Sequence, residues 1–228
     1  MRLRLDLHVH TFNSPDAFTS LREAAQAAVA RGLDGFAVTD HERRTDLREL
    51  GSYEGTVIVL PGVEAKVGQY HILGIGVDSW EPKRYHALSE AVGKIHVAGG
   101  LAVIAHPYFS LLRFPSLREL SIAGFDALEA VNSGVQLFSL GTKLASRAAS
   151  TLGLSKTGGS DSHIPETIGD AYTLVEAESR KPEDILDAIR QGRSDAYGRP
   201  TSVRRRLRKI MLQLQRAKQG HGSSGFAG

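Results

Sequence analysis

The chain of 228 residues carries 28 lysines and arginines against 25 aspartates and glutamates, and its formal net charge is +3. Hydrophobic residues make up 41% and charged residues 23%, which is typical of a globular protein with a buried core. Cysteine is absent, which excludes disulfides and thiolate metal sites, so any metal ligands must be His, Asp or Glu. No apolar run approaches the ~18 residues of a membrane span and no signal peptide is recognisable, so we expect a cytoplasmic protein without a membrane partner.

Short aliphatic runs alternate with longer helical patterns along most of the chain. The predicted strands cover residues 2–10, 35–40, 56–60, 69–77, 101–105, 126–131, 154–159 and 171–176. The predicted helices cover residues 20–31, a short piece after 42, 82–98, 116–123, 136–152, 182–191 and a C-terminal segment. Regular alternation of strand and helix favours one α/β domain over residues 1–200, shaped like a TIM barrel.

The C-terminal part of the chain has a different character. Residues 201–219 place several arginines among apolar residues, which predicts an amphipathic helix with a basic face, and residues 220–228 form a glycine- and serine-rich flexible tail. Two interpretations of the basic helix remain open: a solvated helix that packs one side on the domain, or a surface for nucleic acid or phosphate.

The first strand runs into the sequence LDLHVHTFNSPD, which contains two histidines and an aspartate within a few positions. Side chains alternate along a strand, so the apolar residues at 3, 5, 7 and 9 are expected on one face and His8 and His10 on the other. Two imidazoles on one face are able to converge on a metal ion, with Asp16 in the following loop. The alternative is a core strand with two hydrogen-bonded histidines.

Other ligand-type residues recur at the predicted strand ends, where functional groups of a parallel barrel gather. The complete set of predicted metal ligands is His8, His10, Asp16, His41, Glu64, His71, His106, Asp161 and His163. These residues are too many for one ion, so we expect two or three divalent cations, with Zn, Mn and Fe all compatible with such ligands. Glu64 is the candidate bridging carboxylate, and a hydroxide shared by two cations is the expected nucleophile. His86, His96 and His221 are expected not to be ligands.

The motifs DLHVHT, TDH, GVE, AHP and GSDSH, spaced in this order from Leu5 to about His163, resemble those of the polymerase and histidinol phosphatase (PHP) superfamily. The resemblance implies a distorted barrel of about seven β/α units with a trinuclear site that hydrolyses phosphoesters. It assigns His8, His10, Glu64 and Asp161 to the first ion, Glu64, His71 and His106 to the second, and Asp16, His41 and His163 to the third. At position 16 some members carry His instead of Asp.

From these assignments we predict a metal-dependent phosphoesterase in which Glu64, Asp161 and His163 are catalytic. The expected substrate is a small phosphorylated metabolite or a nucleotide, with the end of a short RNA or DNA as an alternative. Four residues near strand ends or in loops are candidate substrate-binding residues: Arg113, Asn132, Ser133 and Arg199. Asp40 is a candidate for orienting a ligand imidazole, although an ordinary core hydrogen bond would account for it equally well. The sequence indicates nothing about oligomeric state.

Two other classes of protein remain as alternatives. An amidohydrolase-type enzyme also begins with His-x-His on a barrel strand, but it requires a metal-bridging lysine in mid-chain, and Lys66 is not at a suitable strand end. A non-catalytic, metal-stabilised module could bind nucleic acid through the basic helix. Release of phosphate from a phosphoester in the presence of metal would distinguish the predicted phosphoesterase from both alternatives.

Overall fold

The computed structural model describes residues 1–48, 50, 55–77, 79–80, 82, 84–109 and 114–222. Its strands are β1 (Arg2–Val9), β2 (Gly35–Val38), β3 (Ile58–Val67), β4 (Tyr70–Ile75), β5 (Leu101–Ala105), β6 (Ala127–Asn132), β7 (Ser155–Gly159), β8 (Ala171–Glu176) and β9 (Ser194–Gly198). Its helices are α1 (Leu21–Ala30), α2 (Leu88–Val97), α3 (Leu117–Ala123), α4 (Phe138–Leu152), α5 (Pro182–Arg190) and α6 (Val203–Gly222).

The strands form one sheet in the order β7-β6-β5-β4-β3-β2-β1-β8-β9, which curls into a nearly closed barrel. Parallel and antiparallel neighbours are equally frequent in the described sheet, because β4 runs antiparallel between β3 and β5, and β8 antiparallel between β1 and β9. The sheet curls so that its end strand β7 approaches β8 and β1. There the Gly158 N–H donates to Thr173 Oγ1 over 2.8 Å, and Asp161 N–H donates to the His8 carbonyl over 2.9 Å. The predicted barrel-like α/β fold is confirmed.

Apolar side chains pack on both sides of this sheet. The inner cluster joins the leucines of β1 to residues of β4, β5 and β8, and α5 adds Ile185, Leu186 and Ile189. Outer clusters join the sheet to α2, α3 and α4 on one side and to α1 on another. Burial of apolar surface on both faces fixes the strand ends relative to one another.

A bulge in β1 changes the predicted alternation of side chains. Leu3, Leu5 and Leu7 join the inner cluster as one set, whereas Val9 packs against α1 in an outer cluster. The register between β1 and β2 shifts between Asp6 and Val9, which is the signature of a β-bulge. The prediction that all four apolar residues share a face was therefore wrong for Val9. The two histidines do share a face.

Two predicted elements have different bounds in the structure. The strand predicted at 56–60 continues to Val67, because it pairs with β4 from Gly62↔Ile75 to Val67↔Tyr70 and so places Glu64 inside a hairpin. The helix predicted at 82–98 begins only at Leu88. Trp80 is buried and its indole N–H donates to the Tyr85 hydroxyl over 2.9 Å, which holds the preceding segment out of the helix.

Candidate metal centre

Nine ligand-type side chains converge at one end of the barrel. They come from the carboxyl ends of β1, β2, β5 and β7, from β3, and from the amino end of β4, which is antiparallel and so begins at the same rim. A cavity of about 470 Å³ opens above them. Among the residues that line it are Asp16, His41, Glu64, His71, His106, Asp161 and His163. His8 and His10 are fully buried beneath this lining.

The imidazoles of His8 and His10 face the same point. Their Nε2 atoms lie 3.1 Å apart, and the two rings are tilted with centroids 5.0 Å apart. Each Nδ1 has a partner on the other side of its ring: Glu129 Oε1 at 3.0 Å from His8 and Ser14 Oγ at 3.1 Å from His10. Such partners fix the orientation of a metal-binding imidazole, and here they leave both Nε2 atoms directed at the cluster.

Glu64 lies at the centre of the cluster and is almost fully buried. Its Oε1 lies 2.8 Å from His71 Nδ1 and 3.1 Å from His106 Nε2. Its Oε2 lies 3.5 Å from His8 Nε2, 3.4 Å from His10 Nε2 and 2.9 Å from His41 Nδ1. Each carboxylate oxygen therefore faces its own group of histidines.

Two further carboxylates, those of Asp161 and Asp16, contact histidines of the cluster. Asp161 Oδ1 is 3.3 Å from His10 Nε2 and 3.7 Å from His8 Nε2. Asp16 reaches over from its loop, with Oδ2 at 2.9 Å from His163 Nε2 and Oδ1 at 3.4 Å from His41 Nε2. His163 Nδ1 donates to the Asp161 carbonyl over 2.9 Å, which directs Nε2 into the cavity.

Two of the cluster residues have a backbone conformation that non-glycine residues rarely adopt. His106 directly follows β5 and has φ +26°. Asp161 lies two residues beyond the end of β7 and has φ +55°. Such strain persists where surrounding contacts over-determine the conformation, and it is concentrated at functional sites. Here the His106 N–H donates to Glu129 Oε2 over 2.8 Å and the Asp161 N–H to the His8 carbonyl.

Burial and mutual attraction shift the pKa values of these groups in opposite directions. Burial opposes the charged form, but His8 and other imidazoles hold the pKa of Glu64 and of Asp161 well below the ordinary carboxyl value. Burial also opposes the charged form of His41, yet the carboxylates of Asp16 and Glu64, which lie close to its ring nitrogens, raise its pKa to about 10. Burial and the neighbouring His163 lower the pKa of His10 to about 4.

These residues fit divalent cations. Three groups each bring ligand atoms within 4.8 Å of one another: His8, Glu64 and His106; His8, His10 and Asp161; and His10, His41 and His163. Glu64 Oε2 and Asp16 Oδ1 are buried and make no well-directed hydrogen bond among the described residues, so both retain lone pairs for a cation. Imidazole nitrogen and carboxylate oxygen suit Zn, Mn and Fe. The structure thus contains clusters able to bind metal, while the assignment of single ligands stays a prediction.

The predicted substrate-binding residues lie in different surroundings. Asn132 is buried, and its amide donates to Glu129 Oε2 over 3.0 Å and toward Asp161 Oδ2 over 3.4 Å. Ser133 is also buried, and its hydroxyl makes no hydrogen bond among the described residues. Arg199 pairs with Asp170 and lines a different groove. Arg113 falls outside the described residues. None of the first three side chains lines the metal cavity, so their role in binding substrate stays a prediction.

Sequence reasoning missed Glu129, which is 2% exposed in the middle of β6. Its Oε1 contacts His8, and its Oε2 accepts the His106 N–H and the Asn132 amide. The available signal was a single carboxylate inside an otherwise apolar strand, since a buried charge requires partners.

Asp40 orients His10 through an intermediate side chain. Its Oδ1 accepts the Ser14 hydroxyl over 2.6 Å and the Thr11 N–H over 2.7 Å, and the same Ser14 hydroxyl contacts His10 Nδ1. Its Oδ2 accepts the hydroxyls of Thr11 and Thr45. Asp40 therefore anchors the loop that follows β1.

Replacement of Glu129 by glutamine is expected to weaken metal binding by about 10- to 100-fold, the range typical of an outer partner of a ligand histidine. Glutamine removes the negative charge that aligns His8, and its amide N–H must face either His8 or the N–H donors of His106 and Asn132. Titration with Zn²⁺ or Mn²⁺ followed by calorimetry measures the change. Glu119→Gln, whose carboxylate accepts the exposed Tyr70 hydroxyl, is the matched control. Unchanged metal affinity in Glu129→Gln would contradict this role.

Metal affinity is expected to rise with pH between about 6 and 10. His41 holds a proton throughout this range because its pKa is raised to about 10, and the pKa of His8 is also raised. A cation must displace these protons, so binding releases them. The folding stability of the metal-free protein is expected to change with pH in the opposite direction. The stability gained from protonated His41 is complete below the ordinary histidine pKa of about 6.5 and is lost as pH rises toward 10. Calorimetry in two buffers of different ionisation enthalpy measures proton release, and a pH-independent affinity would refute the prediction.

The fold and the cluster together define a class: a barrel protein with a metal-binding centre of histidines and carboxylates at the rim. A family model described as "PHP domain" matches residues 6–105, and a model described as "PHP-associated" matches residues 142–194. The chain belongs to the PHP superfamily, as its motifs predicted.

Relatives and solved structures agree with this family. A protein of Syntrophotalea carbinolica named probable phosphatase is 25% identical over 240 residues, covering 88% of this chain and 98% of that protein. A two-domain Bacteroides vulgatus protein, described as containing a predicted PHP-like metal-dependent phosphoesterase, matches with a TM-score of 0.70 at 21% identity, over 87% of this chain and 65% of that chain. The lesion-specific endonuclease EndoQ of Pyrococcus furiosus matches with a TM-score of 0.56 at 16% identity, over 86% and 58%. The chain thus spans less than two thirds of these two structures.

No helix among the described residues has both the length and the apolar character needed to cross a membrane. The cytoplasmic location stays a prediction. The division at residue 200 between a barrel and a basic helix also stays a prediction, although α6 does begin at Val203.

Proposed function

We propose that this protein is a metal-dependent phosphoesterase that hydrolyses a phosphate ester of a small metabolite or nucleotide at a centre of two or three divalent cations. The class of enzyme, a hydrolase of phosphoric esters, follows from membership in the PHP superfamily. The number of cations, the roles of single residues and the substrate are the parts that we propose.

The arrangement of Glu64 is the observation that carries the proposal. One carboxylate oxygen faces His71 and His106, and the other faces the histidines at 8, 10 and 41, all within 3.5 Å. A carboxylate in this position is suited to join two cations and hold them close together. Paired cations stabilise both the attacking and the leaving oxygen of an in-line displacement at phosphorus.

We assign His8, His10, Glu64 and Asp161 to one cation, Glu64, His71 and His106 to a second, and Asp16, His41 and His163 to a third. Bound cations supply positive charge for the phosphoryl oxygens and lower the pKa of water. The chain itself supplies orientation: Glu129 and Ser14 direct the Nε2 atoms of His8 and His10, and the Asp161 carbonyl directs that of His163. Glu64, Asp161 and His163 remain the proposed catalytic residues because all three line the cavity.

The amidohydrolase-type alternative lacks its expected lysine. Lys66 is exposed, and its side chain makes no hydrogen bond or ion pair among the described residues, while its backbone N–H donates to Glu42. The lysine that does line the cavity, Lys209, comes from α6 and contacts Asp16 rather than Glu64. Within the described residues, a carboxylate therefore occupies the central position that a bridging lysine would take.

The size of the cavity favours a compact substrate. About 470 Å³ is within the range of sites for small ligands, roughly 300–1,000 Å³. Phe109 and Ile164 add apolar surface beside the polar floor, which suits an organic group attached to the phosphate. Mononucleotides, sugar phosphates and the end of a short oligonucleotide all meet this description.

The test is phosphate release by the purified protein. With added Mn²⁺, Zn²⁺ or Fe²⁺ we expect turnover of nitrophenyl phosphate, at least about 100-fold loss of the rate after dialysis against a chelator, and recovery when the metal is returned. A screen of mononucleotides, bisphosphates, sugar phosphates and short RNA or DNA then ranks substrates. Turnover that survives complete metal removal, or hydrolysis of amides or lactones in place of phosphoesters, would overturn the proposal.

A further inference from the structure

Helix α6 lies across the mouth of the metal cavity, held by arginines on either side of it. Arg206 donates to the carbonyls of Ser133 and Val135, over 3.3 and 3.0 Å. Nearly three turns later, Arg216 donates to the carbonyls of Pro15 and Ala17, and its guanidinium lies 4.0 Å from the centre of the Phe18 ring. The first contact is with the segment after β6, and the second is with the loop that carries Asp16.

A third arginine fixes the start of the helix. Arg205 donates to both carboxylate oxygens of Asp170 at 2.8 Å, and Asp170 is 2% exposed. Arg205, Arg206 and Arg216 are therefore all bonded to protein oxygens outside α6. These contacts position the helix, and the side chains of Arg205 and Arg206 also line the cavity.

Between these anchors, α6 turns one face toward the metal cavity. Lys209, Ile210 and Gln213 line the cavity together with Asp16, His41 and His163. The spacing of residues 206, 209, 210, 213 and 216 is that of a single helical face, so the anchors and the lining residues lie in one row. The ammonium group of Lys209 is thus held at the rim of the metal centre.

Lys209 has spare hydrogen-bonding capacity. Its Nζ lies 3.4 Å from Asp16 Oδ2, a long contact, and among the described residues this is its one side-chain bond. The side chain is 31% exposed, and an ammonium carries three donors on a flexible stem. Asp16 also faces His41 and His163, so a group bound at that end of the cluster comes within reach of Lys209.

We propose that Lys209 is a substrate-binding residue that donates to a phosphoryl oxygen from the α6 side of the cavity, and that the preferred substrate is a terminal phosphate. A phosphomonoester carries more negative charge on its phosphoryl group than a phosphodiester does, and so gains more from an additional cation. A helix across the mouth admits the end of a molecule more readily than the middle of a polynucleotide. This inference rests on the proposed phosphoesterase function and specifies its substrate class.

The test compares Lys209→Ala and Lys209→Gln with Arg208→Ala on the metal-loaded protein. Arg208 is the neighbouring cation on the same helix and pairs with Glu166 at 2.7 Å, outside the cavity lining. Loss of a charge-assisted bond is expected to raise the KM for nitrophenyl phosphate and the Kd for inorganic phosphate by roughly ten- to hundredfold in both Lys209 variants. Arg208→Ala should stay within about twofold of the wild type in both quantities, well inside one tenfold step. Metal content, measured by elemental analysis, should be unchanged in all three.

Three results would overturn the inference. Phosphate affinity and KM of both Lys209 variants within twofold of the wild type would show that Lys209 does not contact the substrate. Loss of metal in these variants would assign Lys209 to positioning Asp16 instead. Faster turnover of a bis-nitrophenyl diester than of the monoester by the wild type would refute the substrate class. Because phosphate binding is measured without turnover, these outcomes remain distinct from failure of the proposed function, in which the wild type hydrolyses no phosphoester at all.

Discussion

Glu64→Gln is expected to lower phosphoesterase activity by more than about 100-fold, beyond the loss typical of an outer partner of a metal ligand. Glutamine keeps the size of the side chain but replaces one oxygen by an amide nitrogen that cannot bind a cation. Since the two oxygens of Glu64 face different groups of histidines, one substitution impairs two cation sites at once. Metal content should therefore fall by two ions per chain relative to the wild type.

Elemental analysis, a phosphatase assay and circular dichroism together check this result. Glu176→Gln is the matched control, because that glutamate is exposed and pairs with Arg2 in β1, far along the strand from the histidines. The control should keep its full metal content and activity. A folded Glu64→Gln variant with full metal content and near-normal turnover would disprove the bridging role.

Gly159→Ala is expected to destabilise the protein by about 1–3 kcal/mol or more and to abolish most activity, because an added methyl group overpacks a closed site. Gly159 ends β7 beneath the cluster. A Cβ atom there would lie 2.3 Å from the His8 Cβ and 2.7 Å from Glu129 Oε1, distances that no packed structure tolerates. Either His8 or the β7 backbone must shift, and both shifts displace ligand atoms.

Gly93→Ala provides the control for the same chemical change. Gly93 lies inside α2, and a Cβ atom there would meet nothing within 4 Å. Alanine is the better helix former by about 0.8–1.0 kcal/mol, so this variant should be slightly more stable than the wild type and fully active. Thermal or denaturant unfolding measures the stability of both variants, and a phosphatase assay measures their activity. Equal stability of the two variants would show that β7 does not approach β1 as closely as the structure indicates.

The sequence predicted the elements that place the ligands, because alternation of strand and helix has a strong hydrophobic signal and parallel strands end at one rim. It also predicted a strand over residues 69–77, and the observed strand β4 carries His71 near its start. The bulge in β1 was not predictable, because a shift of one register position depends on pairing with β2 and leaves no pattern in the apolar residues themselves.

The position of α6 could not be predicted from the sequence either. Its basic face is evident from the arginines, but the contacts that place it over the cavity are mostly guanidinium bonds to backbone carbonyls. Backbone carbonyls occur at every residue, so no residue type marks the partner surface. Glu129 was overlooked for a different reason: its buried strand position was interpreted as core. Its carboxylate in fact contacts the ring of His8 and the backbone N–H of His106, two predicted ligands.

The contact between Lys209 and Asp16 joins positions 193 residues apart, and His8 meets Glu129 across 121 residues. A ribosome must therefore make most of this polypeptide before the pocket has its full set of donors. Contacts between such distant positions carry a large loop-closure entropy, which slows folding. During synthesis the histidines at 8 and 10 remain without most of their partners, so the proposed cations would bind only late in the maturation of the protein.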